Sequence, residues 1–465
     1  MRKPKIGLLP LYIELYDRTT PEVRPFVEEN HRHASDLLRK KGLDVVDVPI
    51  CRLAPEFDSA IRTFEKEDVD AIVTLHLAYS PSLESEKALA RTKLPLIVMD
   101  TTPAYTYDQN TDGAELMYNH GIHGVQDMCN LLRRNGKAYQ IFAGHMEHSD
   151  VLNRVADAAR AAAAAKELQR ARVGVLGTAF SGMGDFQVPY ADLKKNLGLV
   201  TVPYDFARAA EGIEKTTQAE LDREYEADSK TYEVDPALTR EVYDRSARVC
   251  LAVRRWVEEE KLSAFTINFL ETEGSRPGLP VMPFTECCRA MAHGVGYAGE
   301  GDVLTAALVG ALLTVYPETT FTEMFCPDWA HGSVFLSHMG EYNYRIAAGK
   351  PLLQEKPFPF TSAENPTVAY QTMKGGRATF LNLAPFGNGR YGLTMAGGEM
   401  LKITGENKMA AAVNGWFRPD APLERFLEGL SLAGATHHSA LVYGVTPEQL
   451  APLADFLGCE RHIVG

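Results

Sequence analysis

Short apolar segments alternate with amphipathic stretches through the first third of the chain. A helix is predicted between about residues 20 and 42, because apolar positions there recur at helical spacing, and another is predicted at residues 112–132. Buried strands are predicted at residues 5–11, 44–50, 70–77 and 95–100, and a further strand at residues 138–143. This strand–helix rhythm predicts a parallel sheet with helices on both faces, which binds its ligands beyond the carboxyl ends of the strands.

A second strand–helix series follows a long helical run at residues 150–169, and the pattern changes again near residue 317. The second series has strands at 172–177 and 263–269 and a helix at 240–261. Beyond residue 317, short strands punctuated by glycine are predicted at 378–383, 391–395, 400–404 and 439–443. The predicted fold is α/β: two doubly wound, Rossmann-like (flavodoxin-like) domains, then a C-terminal antiparallel β-barrel-like domain. The predicted domains are 1–170, 171–317 and 318–465.

Composition narrows the class of protein and its partners. A chain of 465 residues exceeds the usual size of one hydrophobic core, which predicts several domains. A formal charge of −13 argues against a nucleic-acid partner. No apolar run approaches the roughly 18 residues of a membrane span, and the amino-terminal apolar run is too short for a signal peptide. Seven cysteines without a Cys-x-x-Cys pair predict reduced thiols and a cytoplasmic protein.

The segment most informative about chemistry is residues 294–308, with the sequence GVGYAGEGDVLTAAL. Glu300 lies between two glycines, just before a helix-like run. Glycines let the backbone turn tightly and permit the close approach of a ligand, so Glu300 is a candidate functional residue. The alternative is a glycine-rich turn whose acidic residues cap the following helix.

Glu323, His338 and the pair His437–His438 follow later in the chain. Each alone is compatible with a solvated or structurally satisfied side chain. Together with Glu300 they supply two carboxylates and two imidazoles, a donor set that suits a six-coordinate divalent ion. The absence of cysteine donors disfavours a structural zinc site. If the histidine pair enters a strand, only one ring can face the metal and the other packs or contacts a neighbouring loop.

The order of these motifs resembles the L-arabinose isomerase and L-fucose isomerase superfamily, and is closer to the arabinose branch. The motifs are Gly-Glu300-Gly-Asp-x-x-Thr-Ala-Ala-Leu, then Glu323, then Ser-His338-Met, then Thr-His437-His438. Weaker upstream likenesses include Leu-His76-Leu-Ala-Tyr-Ser-Pro and Gly-His145-Met, so that the similarity spans nearly the whole chain.

The resemblance implies that a manganese-like ion is held by Glu300, Glu323, His338 and His438. The ion would be Mn²⁺ or another divalent metal such as Co²⁺ or Mg²⁺. The resemblance also implies a homo-oligomer, a trimer or hexamer, with active sites at subunit interfaces.

Three further histidines are predicted to bind substrate. The resemblance implies that His145 reaches a sugar, in the family often one bound by a neighbouring subunit, with a loop histidine after a strand as the alternative. His76 is expected to line the same cleft, with a hydrogen-bonding role at a strand end as the alternative. His437 completes the set.

The function predicted from these residues is a divalent-metal-dependent aldose–ketose isomerase acting on a free pentose, deoxyhexose or related sugar. Glu300 and Glu323 would serve both as ligands and as the acid–base pair of an enediol route, with a hydride shift as the rival mechanism. The segment after Glu323 and the segment around Tyr12 depart from the family pattern, so the family's named substrate is not transferred. Two alternatives are a sugar or sugar-acid epimerase on the same scaffold and a non-catalytic sugar-binding protein.

Overall fold

The computed structural model describes residues 2–465 and divides them into two compact units. One unit comprises residues 2–166 and 448–456, and the other comprises residues 167–447 and 457–465. The domain boundaries at residues 170 and 317 stay a prediction.

The first unit is built on a parallel sheet with the strand order β2-β1-β3-β4-β5. Its elements are β1 (Lys5–Leu11), α1 (Glu14–Thr19), α2 (Arg24–Lys40), β2 (Asp44–Asp47), α3 (Ala54–Lys66), β3 (Ala71–His76), α4 (Ser82–Arg91), β4 (Leu96–Asp100), α5 (Leu116–Asn119), α6 (Ile122–Arg134), β5 (Gln140–Ala143) and α7 (Val151–Gln169). Ile6 and Leu8 of β1 pack into one apolar cluster, whereas Leu9 and Leu11 pack into another. The sheet is therefore buried on both faces, in the flavodoxin-like order, as the sequence predicted.

The helix predicted at residues 112–132 is interrupted. A 3₁₀ turn and α5 end at Asn119, and α6 begins at Ile122. A Cβ atom on Gly121 would lie 2.9 Å from the carbonyl oxygen of His76, and one on Gly124 would lie 2.8 Å from the His76 ring. The two glycines let α6 approach the end of β3 closely, and their weak helix propensity favours a break there.

The second unit begins with another parallel sheet, in the order β10-β9-β6-β7. Its elements are β6 (Arg172–Leu176), α8 (Tyr190–Leu197), β7 (Val200–Pro203), α9 (Phe206–Glu214), α10 (Gln218–Thr231), β8 (Glu233–Val234), α11 (Arg240–Glu259), β9 (Ala264–Ile267), α12 (Phe284–Ala292), β10 (Gly296–Gly299) and α13 (Val303–Leu313). Every residue of α13 is buried, as expected for a helix that is apolar all round. Within residues 2–465, no helix combines the length and the apolar character that crossing a membrane requires.

The same unit continues into a closed antiparallel barrel, which confirms the predicted β-barrel-like architecture of the C-terminal part. The elements beyond residue 317 are β11 (Thr319–Asp328), β12 (Ser333–Ser337), β13 (Leu352–Glu355), β14 (Thr367–Tyr370), β15 (Gly376–Gly387), β16 (Arg390–Met400), β17 (Gly415–Pro419), α14 (Leu423–Leu432), β18 (His438–Tyr443), α15 (Pro447–Leu457) and β19 (Glu460–Ile463). Most of α15 belongs to the first unit, and β13 and β14 form a small separate sheet with β8. In the described chain, six strands close the barrel in the order β15-β18-β11-β12-β17-β16 and back to β15. Helix α13 contacts both the parallel sheet and barrel strands β11, β15 and β18, so it joins the two layers.

The prediction of two separate strands at residues 391–395 and 400–404 is wrong. One strand, β16, runs from Arg390 to Met400, and residues 401–404 lie outside any strand. The glycines at 397 and 398 lie between the two predicted strands, and both pair with β15. A Cβ atom on Gly398 would lie 2.4 Å from the Phe417 ring, so this glycine permits close packing inside a continuous strand.

Candidate metal centre

Imidazoles and carboxylates gather where the carboxyl end of the second parallel sheet meets the barrel. Glu300 follows β10, Glu323 lies in β11, His338 follows β12, and His437 and His438 stand at the start of β18. Two triads form: Glu300, His437 and His438 in one, and Glu323, His338 and His438 in the other. Within each triad, one ligand atom per residue lies within 4.8 Å of the others. His438 belongs to both triads and links them into one cluster.

The turn that carries Glu300 depends on its flanking glycines. Glu300 has a φ of 62°, an unusual left-handed conformation for a residue with a side chain, and Gly301 has a φ of 84°. A Cβ atom on Gly299 would lie 2.8 Å from the His338 ring, and one on Gly301 would lie 2.5 Å from the Cα atom of Ala179. A side chain at either glycine would therefore displace the His338 ring or the backbone at Ala179. The turn could then no longer present the Glu300 carboxylate to the imidazoles in the same way.

Strand register brings Glu323 to the histidines. Glu323 lies directly opposite His438 on β18 and opposite Ser337 on β12, the residue before His338. Directly opposite residues of an antiparallel pair project from the same face, so Glu323 and His438 share a face of the barrel. The buried ring of Phe321 lies 4.6 Å from the His338 ring and 5.0 Å from the His438 ring, between centroids. It fixes the two imidazoles against each other.

Buried carboxylates contact Nδ1 of two of the histidines, His338 and His438. Nδ1 of His338 lies 2.8 Å from Glu341 Oε2, and the Tyr297 hydroxyl donates to the other oxygen of Glu341. Nδ1 of His438 lies 3.1 Å from Asp302 Oδ2. Each Nδ1–H can donate to its carboxylate, which leaves Nε2 to face the cluster. This arrangement is typical of metal-ligating histidines.

Asp302 performs two tasks with its two oxygens. Oδ1 accepts the backbone N–H of Thr305 at 2.9 Å and so caps the amino terminus of α13, while Oδ2 contacts His438. The alternative interpretation of this segment, that its acidic residues cap a helix, therefore holds for Asp302. Glu300 remains available to the cluster.

The charge balance of the cluster favours a bound cation. Burial alone would raise the pKa of Glu300, but the imidazoles of His437 and His438 outweigh it and lower that pKa to about 2. Burial alone would lower the pKa of His438, but Asp302 and Glu300 raise it to about 9. Without a metal, His438 therefore carries a proton that offsets part of the negative charge of Asp302 and Glu300. A divalent cation would replace that proton.

The donor set fits a divalent metal ion. Nε2 of His438 is buried and has no hydrogen-bond partner among residues 2–465, and it lies 3.5 Å from Glu300 Oε2. A proton leaves this nitrogen with only a long contact to the carboxylate, whereas a shared cation would bind both the nitrogen and the carboxylate. The mixed oxygen and nitrogen donors suit Mn²⁺ and related ions. Glu300, Glu323, His338 and His438 would hold the ion.

His437 differs from the expected alternation along a strand. Because β18 begins at His438, His437 precedes the strand, and both rings approach Glu300. His437 also contacts a neighbouring loop, as one of the two was expected to do: its Nδ1 lies 2.7 Å from Asp185 Oδ2. The ring of Phe186 from the same loop stacks on His438, with centroids 5.1 Å apart and planes at 9°.

Four residues of this environment were not identified from the sequence: Asp302, Glu341, Asp185 and Phe186. Asp302 stood inside the glycine-rich motif and could have been identified there. Glu341 follows His338 by three residues, and Asp185 closes a Gly-x-Gly-Asp segment, but neither signal is specific. Phe186 gave no signal, since an aromatic residue in a loop has many ordinary roles.

His76 and His145 lie in the first unit. His76 is buried, neither ring nitrogen has a hydrogen-bond partner in the described chain, and burial lowers its pKa to about 3. Nδ1 of His145 accepts the backbone N–H groups of Glu147 and His148, and Nε2 contacts the carbonyl oxygen of Pro103. These contacts fit the alternative of a loop histidine for His145. The substrate-binding roles of both histidines stay predictions.

Comparisons with known proteins identify the family. Residues 191–316 match the model of the L-arabinose isomerase central domain, and residues 318–460 match the model of the L-arabinose isomerase C-terminal domain. The chain belongs to the L-arabinose isomerase family. The resemblance to the arabinose branch and the class of enzyme, a sugar isomerase, are thereby confirmed. The wider likeness to L-fucose isomerases stays a prediction.

Relatives within the L-arabinose isomerase family are distant but cover most of the chain. An L-arabinose isomerase of Clostridium beijerinckii is 24% identical over 96% of this chain and 91% of its own length. L-arabinose isomerase 1 of Bacillus licheniformis is 26% identical over 89% of this chain and 85% of its own. The chain is therefore a divergent member of the family.

One solved structure also matches, but its similarity is weak. It is a D-allose-bound periplasmic solute binding protein of an ABC transporter from Actinobacillus succinogenes, 12% identical, covering 67% of this chain and 92% of its own. Its TM-score is 0.18, which is too low to support a shared fold.

Replacing Asp302 by asparagine tests its contact with His438 separately from the helix cap. Asparagine still caps α13 but removes the negative charge behind His438, so we expect manganese affinity to fall about 10- to 100-fold. Titration calorimetry with Mn²⁺ measures the affinity. The melting temperature should stay near that of the wild type, whereas Asp302→Ala should also lose about 1 kcal/mol of cap stability. Unchanged affinity in Asp302→Asn would contradict the assigned role.

Proposed function

We propose that this chain is a divalent-metal-dependent aldose–ketose isomerase that acts on a free pentose, deoxyhexose or related sugar. The observation that carries the proposal is the cluster around His438. Two triads of carboxylates and imidazoles share that residue, and buried carboxylates orient two of the rings. Membership of the L-arabinose isomerase family supports the same class of reaction.

Isomerisation of an aldose moves one hydrogen from C2 to C1 and one hydroxyl hydrogen between neighbouring oxygens. When bound, a divalent ion would polarise the carbonyl and adjacent hydroxyl oxygens of the sugar and stabilise negative charge on them. The chain's own groups must take up and return the hydrogen at carbon. We assign this task to Glu300 and Glu323, and an enediol is the intermediate of the proposed route.

Glu300 and Glu323 would contribute unequally to the proton transfer. A general base is most effective when its pKa is close to the working pH, and the pKa of Glu300 is lowered to about 2 by the adjacent imidazoles. Glu300 is therefore better suited to ligation than to proton abstraction. We assign the larger share of the proton transfer to Glu323 and keep both residues as ligands.

We also propose a compartment, an oligomeric state, a preferred ion and substrate contacts for this reaction. All seven cysteines, each within the described residues, are free thiols, which fits a reducing compartment such as the cytoplasm. A homo-oligomer with active sites at subunit interfaces, Mn²⁺ as the preferred ion, and substrate contacts by His145, His76 and His437 complete the proposal.

A sugar screen tests the function directly. The purified protein, stripped with a chelator and reloaded with Mn²⁺, should convert at least one free pentose or deoxyhexose into its ketose. The stripped protein should be inactive, because the metal is the group that stabilises the developing charge. Chromatographic identification of products distinguishes a ketose from a C2 epimer. Epimer formation, or sugar binding that is unaffected by the chelator and yields no product, would reject the isomerase proposal.

Solvent deuterium and Glu323→Gln test the acid–base part. In D₂O, the product should carry deuterium at C1, as detected by NMR, because a hydrogen passing through a carboxylate can exchange with solvent. Glu323→Gln should lower kcat by about 10²- to 10⁴-fold, the usual contribution of general acid–base catalysis. Glu318→Gln is the matched control: Glu318 directly precedes β11, is half-buried and pairs with Lys374 away from the cluster. A product free of deuterium together with near-normal activity of Glu323→Gln would favour a hydride shift.

A further inference from the structure

The loop between β6 and α8 covers the histidine cluster of the second unit. The backbone N–H of Phe180 donates to the carbonyl oxygen of Glu300 at 2.8 Å, and Phe186 stacks on the His438 ring. Between these two contacts lies Asp185, which follows two glycines at positions 182 and 184. The loop therefore contacts the candidate metal centre at two points, Phe180 and Phe186.

Asp185 makes two hydrogen bonds with a single residue, His437. Its Oδ2 accepts the backbone N–H of His437 at 3.0 Å and contacts Nδ1 of the ring at 2.7 Å. On the opposite side of the ring, Nε2 lies 3.7 Å from Glu300 Oε2. The rings of Phe186 and His438 lie 5.5 Å and 4.3 Å away, between centroids. The His437 imidazole is therefore held between a carboxylate on the loop and a carboxylate of the cluster.

We infer that Asp185 is a positioning residue that fixes the tautomer and the direction of His437. A carboxylate beside Nδ1 stabilises the tautomer with hydrogen on Nδ1, which leaves the lone pair on Nε2. That lone pair faces the side of the cluster where Glu300 stands. In this tautomer His437 can accept a hydrogen bond from a sugar hydroxyl, which the tautomer with hydrogen on Nε2 cannot do.

The inference rests on the proposed function for its substrate, and it assigns Asp185 a task in the same reaction. An aldose–ketose conversion moves a hydroxyl hydrogen between adjacent oxygens as well as a hydrogen between carbons. With its Nε2 lone pair directed to the cluster, His437 would accept a hydrogen bond from the hydroxyl next to the reacting carbonyl and so orient the sugar for this conversion. Asp185 would act only through His437, without contacting the sugar.

The test compares Asp185→Ala with Asp185→Asn. ¹⁵N NMR of histidine-labelled, metal-free protein at alkaline pH reports which nitrogen of the neutral ring carries hydrogen, and the signals missing from His437→Gln assign His437. We expect the wild type to show hydrogen on Nδ1 and Asp185→Ala to show a mixture of tautomers. Asp185→Asn keeps an acceptor oxygen and should restore the Nδ1–H form. Asp192→Ala, a change of an exposed acid in the next helix, should leave the signals unchanged.

Kinetics of the manganese-loaded protein form the second arm. Asp185→Ala should lower kcat about 10- to 100-fold, as loss of a supporting hydrogen bond behind a functional histidine commonly does, with a smaller change in KM. Asp185→Asn should recover most of that loss, and Asp192→Ala should match the wild type.

Three results would overturn the inference: wild-type tautomer signals in Asp185→Ala, a wild-type kcat in that variant, or an Asp185→Asn protein indistinguishable from Asp185→Ala. The NMR arm needs neither metal nor sugar. If the wild type isomerises no sugar while the tautomer still depends on Asp185, the proposed function fails and the positioning of His437 by Asp185 stands.

Discussion

The contact between His438 and Asp302 is the interaction on which the candidate site most depends. Asp302 ties the imidazole to the first turn of α13, and α13 packs against both the parallel sheet and the barrel. His438 in turn stands in register with Glu323 on β11. A single buried side chain pair thus connects the turn that carries Glu300 with the barrel strands that carry the other donors. The metal centre can form only if these two layers fold against each other.

Much of the fold was predictable because its signals are local. A buried parallel strand such as β1 is a short apolar run whatever its neighbours are, and its bounds were found without the structure. The division of β16 and the break before α6 were not found, because both depend on glycines whose effect is tertiary. Gly398 admits the Phe417 ring, and Gly124 admits the His76 ring. A glycine alone does not indicate whether it ends an element or permits close packing within it.

In the candidate site, too, some residues could be predicted from the sequence and others could not. Glu300, Glu323, His338 and His438 could be selected because the motif order resembles a known family and because their donor atoms suit one ion. The residues behind them, Asp302 and Glu341, were not selected. Asp302 lies inside the glycine-rich motif but fitted a helix cap equally well, and Glu341 carried no specific signal, since acidic residues near helix ends and turns are common. Their roles require the distance to an imidazole nitrogen. The sequence therefore indicates which groups could bind a metal, and the structure indicates which groups orient them.

Anomalous diffraction from crystals soaked with Mn²⁺ would show whether the four donor side chains share one ion. We expect one manganese peak bonded to carboxylate oxygens of Glu300 and Glu323 and to Nε2 of His338 and His438. A peak bound elsewhere in the chain, or these four side chains too far apart to share one ion at saturating manganese, would contradict it.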